Sequence, residues 1–218
     1  MLKDPKKKSD NFSVALGLVD YVNPVFYTLT CLLVLNNMKE IMPAADYRIC
    51  FLGMLISLIG GYIIPTGKLI VGLGIMKFVM PVPLVLFVNS GILISGLILL
   101  KTVFSLSAAV TFVIAAAIIA MMIMVVRKTG KLNTAAVLTG AVGYLLIYAA
   151  LIFLSVSSKM ILPVCFYALA IALFAVLVRT GIKADLYDAR VHWFIEICNI
   201  MTQGLVALGT YILFHFMH

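Results

Sequence analysis

Between Lys101 and Arg127 the chain carries no charged side chain, and between Lys131 and Lys159 there is again none. Apolar runs of this kind recur seven times along the sequence. Each is near the roughly 20 residues that an α-helix needs to cross about 30 Å of hydrocarbon. A soluble domain of 218 residues could not bury so much apolar surface. Composition agrees, with 64% hydrophobic and 11% charged residues and a mean hydropathy of +1.20, where a soluble domain carries about a quarter charged. A transmembrane barrel would show alternating segments of about ten residues instead. The pattern specifies an all-α integral membrane protein, a multi-pass seven-transmembrane-helix bundle of the cell membrane.

Proline disrupts helix interiors but is tolerated in first turns and beyond helix ends. Pro5, Pro24, Pro43, Pro65, Pro81, Pro83 and Pro163 are therefore read as boundary markers. The resulting spans are 22–38, 48–64, 82–100, 103–126, 133–155, 160–179 and 191–216. They form one transmembrane domain, 21–218, behind a basic tail, 1–20, that contains Lys3, Lys6, Lys7 and Lys8. The glycine-rich connection 65–82 is apolar yet too short to cross twice. It is expected to be an interfacial helix, a broken extension of span three, or a re-entrant element.

The basic residues set the orientation. Loops on the amino-terminal side hold twelve, namely Lys3, Lys6, Lys7, Lys8, Lys68, Lys77, Arg127, Lys128, Lys131, Arg179, Lys183 and Arg190. The opposite side holds four: Lys39, Arg48, Lys101 and Lys159. This split predicts a cytoplasmic amino terminus and an external carboxyl terminus. The net charge of +8 is thus spent on topology, and nucleic-acid binding is excluded because no basic stripe with interleaved aromatics exists. Span lengths are compatible with a 3+1+3 parallel repeat, in which span four joins two triplets of like orientation. Glycines, alanines and serines at spacings of three and four supply the faces where helix backbones approach.

One helix face stands out chemically. At 100° per residue, Asp185, Asp188, His192, Glu196, Asn199, Gln203 and Thr210 share one side of the last span. Polar groups at membrane depth turn towards protein or a wet cavity. Asp188, His192, Glu196, Asn199 and Gln203 are accordingly the candidate residues of a substrate or ion path. Glu196 lies furthest inside among the charged ones, and Lys77 or Arg179 is its expected counter-ion. Asn23, Thr28, Asn89, Ser90, Tyr144 and Tyr148 are candidate partners for the rest of the rail, while Tyr21, Trp193 and Tyr211 read as interface anchors.

Other chemistries find less support. Gly61 to Lys68 has one residue too many for a P-loop, and Leu69 stands where a hydroxyl would meet magnesium. Gly72-Leu73-Gly74 lacks the third glycine and the preceding strand of a dinucleotide fingerprint. Cys31, Cys50, Cys165 and Cys198 form no paired motif, and His215 and His218 sit at the far end from His192, so neither a metal nor another cofactor is expected. A retinal protein needs a lysine in the last span, where none occurs. Three function classes fit, in this order: a permease or transporter for a small solute or ion; a non-catalytic assembly or sensory subunit; and an intramembrane enzyme acting on a lipid head group. The enzyme ranks last because no activated nucleophile is legible. The expected partners are the lipid bilayer and a small solute or ion, with a homo-oligomer or a partner subunit also compatible.

Overall fold

The computed structural model describes residues 13–75, 82–183 and 189–217. Within them lie eight helices: α1 Val14–Asp20, α2 Val22–Met38, α3 Ala44–Gly72, α4 Val82–Val103, α5 Ala108–Thr129, α6 Leu132–Ser157, α7 Ile161–Lys183 and α8 Ala189–Phe216. With α1 and α2 taken together as Val14–Met38, seven are long and apolar enough to cross a membrane. The protein is a seven-helix, all-α membrane-spanning bundle, and no strand occurs among the described residues.

Two boundaries differ from the sequence reading, and both shape the interior. Helix starts at Val14, capped by the Ser13 hydroxyl accepting from Leu16 N at 3.1 Å, so residues 14–20 of the expected tail join the first span. That span breaks at Tyr21 because Pro24 has no N–H to offer the Asp20 carbonyl four residues back. The second correction concerns Pro65, which is not a terminator. It lies buried inside α3, which runs 29 residues to Gly72. The segment 66–72 thus extends span two, not span three. Continuing the helix forfeits one hydrogen bond, whereas stopping at Ile64 would strand several carbonyls away from water. The end comes at Gly74, whose φ of +70° lets Ile75 N reach Ile70 O and Gly74 N reach Val71 O.

The helices close a ring. Going round, α2 packs on α3, α3 on α4, α4 on α6, α6 on α7, α7 on α8, and α8 back on α2. Span four (α5) stands outside, packing on α4 and α6, and buries just Ile118 and Met122. Glycines make the tightest seams. Gly53 faces Gly91 and Ser95 between α3 and α4, and Gly96 faces Gly143 between α4 and α6. On one half of the bundle, Val34, Met38, Cys50, Met54, Leu151 and Leu213 form a continuous apolar core. There the Lys101 amine meets both oxygens of Asp46, at 2.8 and 2.7 Å, joining the end of α4 to the start of α3.

Because lipid tails are as apolar as this core, burial between helices draws on close packing more than on exclusion of water. Leu151→Ala, at a site 1% exposed, is expected to lower stability at the lower end of about 2–5 kcal/mol. Val113→Ala, on α5 and 65% exposed, is expected to stay within about 0.5 kcal/mol. Thermal unfolding in one detergent distinguishes the two.

Candidate functional site

At the other end of the bundle, four side chains from three spans form a closed ring. Asn23 Nδ2 donates to Asp20 Oδ1 at 3.1 Å and to Glu196 Oε2 at 2.9 Å. Lys68 Nζ pairs with Asp20 Oδ2 at 2.8 Å and with Glu196 Oε1 at 2.5 Å. Each carboxylate thereby gives one oxygen to the amide and the other to the ammonium. The side chains retain 8% (Asp20), 5% (Glu196) and 13% (Lys68) of their exposed surface. Charges removed from water to this degree are tolerable only when paired and hydrogen-bonded.

The backbone explains how the ring assembles. Asp20 ends α1 at the break set by Pro24. Gly17, one turn earlier, lets α1 lie directly on α3, where an added Cβ would come within 2.9 Å of Leu69 Cα. Lys68 reaches the interior because α3 continues past Pro65. Glu196 arrives on the polar edge of α8, whose opposite side presents Phe194, Ile197, Met201 and Leu208 outwards at 46–52% exposure.

Below the ring lies a cavity of about 280 Å³. Asp20, Asn23, Lys68 and Glu196 line it, together with Tyr27, Ser57, Asn89, Tyr144, Asn199 and Gln203. Asn23 Oδ1, Tyr27 Oη and Gln203 Oε1 are buried with no hydrogen-bond partner. Asn89 is fixed by its Nδ2 donating to Ala136 O at 2.8 Å. Further in, Tyr27, Tyr144, Tyr148 and Phe174 stack edge to face at 5.4–6.1 Å and separate the cavity from the apolar half.

No protein-family model, curated protein or solved structure matches this chain.

The candidates read from sequence sort into three groups. Glu196, Asn199 and Gln203 are brought together along one wall of the cavity. His192 is half-buried one turn before Glu196 and is not a lining residue. Asp188, and Lys77 as a counter-ion, lie outside the described residues. Arg179 is exposed, and the cation that meets Glu196 is Lys68. Thr210, at the far end of the rail, accepts from Tyr167 Oη at 3.2 Å in a buried contact between α7 and α8. Asp20 and Lys68 were missed, although a signal existed for each. Asp20, Asn23 and Tyr27 share one face at i, i+3 and i+7, and Gly61, Ile64 and Lys68 repeat that spacing on α3. Among the described residues, no three His, Cys, Asp or Glu side chains converge as a metal site would require.

Proposed function

We propose that the protein is a permease for a small cationic solute or ion, with the cavity beneath Asp20, Lys68 and Glu196 as its binding site. The observation that carries this reading is a set of unpartnered polar atoms, the amide oxygens of Asn23 and Gln203 and the Tyr27 hydroxyl, lining a cavity inside a membrane-spanning bundle. A buried polar atom without a partner costs about 1–3 kcal/mol. Two amide oxygens and a hydroxyl in one cavity are best accounted for by a polar ligand that comes and goes. The ring adds a charge argument, since two carboxylates share one ammonium. An arriving cation or protonated amine can replace Lys68 at one carboxylate while Lys68 keeps the other. Neutral donors of the same solute would then meet Asn23 Oδ1 and Gln203 Oε1.

The aromatic layer supports a gated path, because the hollow half of the bundle is cut off from the filled half. Alternating access between the two triplets, joined by span four outside the ring, would open the filled half in turn. The orientation we propose keeps the cavity end in the cytoplasm. With Lys68 withdrawn into the bundle, the basic residues of the loops still divide eleven to four in that sense.

The test is flux into proteoliposomes that hold a pH-sensitive dye, driven by gradients of methylammonium, sodium or potassium. Protein-dependent flux of at least one of these is expected. Glu196→Gln, which keeps the shape and removes the charge, should reduce it roughly 10- to 100-fold, as expected for loss of a charged hydrogen bond. Flux equal to that of empty liposomes for all three probes, or flux unchanged in Glu196→Gln, would remove the reading.

A further inference from the structure

A second and larger cavity, of about 670 Å³, lies on the outside of the ring between α5 and the α4–α6 pair. Its walls include Leu97, Ala115, Ile118, Leu132 and, at one end, Arg127. The two hydroxyls on its walls are engaged by their own helices: Ser90 Oγ donates to Leu86 O and Thr139 Oγ to Ala135 O, both at 2.8 Å. Apart from Arg127 at its end, the groove therefore offers only hydrocarbon to an occupant. We propose that it holds an acyl chain of an anionic phospholipid, whose phosphate is met by Arg127, Lys128 and Lys131.

Two observations meet here. The first is depth. Ala115 and Arg127 are twelve residues apart on α5, or about 18 Å along the axis. One leaflet of a ~30 Å hydrocarbon core is about 15 Å. The groove thus runs from the membrane surface to the midplane.

Charge comes second. Arg127, Lys128 and Lys131 are exposed at the α5–α6 turn, and no Asp or Glu occurs between Asp46 and Asp185. The helices packed against α5 are α4 and α6, which lie wholly within that interval. Three cations thus crown the groove with no protein anion on any helix around them. Basic pockets of this kind at a membrane surface suit phosphate head groups.

The experiment uses the full chain purified in mild detergent, with phosphatidylglycerol and phosphatidylcholine of identical acyl chains added in equal amount. Native mass spectrometry reads what stays bound. One phosphatidylglycerol per protein is expected, favoured about tenfold or more over phosphatidylcholine. Arg127→Gln with Lys131→Gln should erase that preference. Ala115→Phe, which fills the groove at its inner end, should abolish retention of both lipids. Ala115→Leu serves the same purpose should the larger side chain prevent folding. Equal retention of the two lipids by the wild-type protein, undiminished retention in the groove-filled variants, or a lipid-free dimer would overturn the assignment.

Discussion

Lys68→Met is expected to be among the most damaging single substitutions in this protein, lowering stability by about 3–5 kcal/mol. Methionine preserves the length and most of the packing of the stem, so the loss is electrostatic. Without the ammonium, Asp20 and Glu196 face each other across Asn23 with their Oδ2 and Oε1 oxygens unpaired. The control is the neutral set Asp20→Asn, Lys68→Met, Glu196→Gln, which keeps shape and removes all three charges. It should recover most of the loss, since replacing a whole buried ion cluster is often neutral while breaking one is not. Thermal unfolding of the three proteins in one detergent reads the difference. Equal stability of Lys68→Met and wild type would mean that the ring is held by packing alone. The neutral set should also be stable yet inactive in flux, which separates the role of the charges in transport from their role in folding.

The second large effect concerns the seam between α4 and α6, the most extensive helix interface in the bundle. A Cβ at Gly143 would stand 2.6 Å from the backbone N of Leu93, and at Gly96 it would stand 2.6 Å from Gly143 O. Backbone cannot move aside as a flexible side chain can, so the helices themselves must separate. Overpacking of this kind costs typically about 1–3 kcal/mol, and Gly143→Val should reach or exceed the top of that range. Parting α4 from α6 also disturbs the Asn89 contact to Ala136 O and with it one wall of the cavity. Gly204→Ala is the matched comparison. Its added methyl would meet only the Phe26 ring, at 3.5 Å, which is ordinary contact. Monodisperse yield and unfolding temperature should fall sharply for the first and remain near wild type for the second. Equal behaviour would show that the seam yields more readily than its backbone distances imply.

These two sites also mark where sequence reasoning reached and where it stopped. The α8 edge was legible because Glu196, Asn199 and Gln203 recur at helical spacing in an otherwise apolar run, and lipid leaves such groups one direction to turn. The partners were not legible. Pro65 reads as a stop in a sequence, and Lys68 beyond it reads as a loop cation serving topology. The helix persists because membrane interior penalises an exposed carbonyl more than one missing hydrogen bond. Asp20 was hidden for a related reason. It sits before a proline and next to a lysine-rich terminus, so polarity placed it outside the first span.

The sequence by itself determined the solvent and the class. Runs of uncharged residues near 20 in length commit a chain to crossing a bilayer as helices, and helical periodicity commits the polar edge of the last one to an inward face. Only the tertiary structure decided which charges meet, that six spans close a ring while span four stays outside, and that one half is hollow and the other filled. The physical reason is that membrane insertion depends on sums over local segments, which a sequence displays directly. Pairing of Asp20, Lys68 and Glu196 depends on helix length, on a break at Tyr21 and on glycine contacts between elements far apart in the chain, none of which a local sum contains.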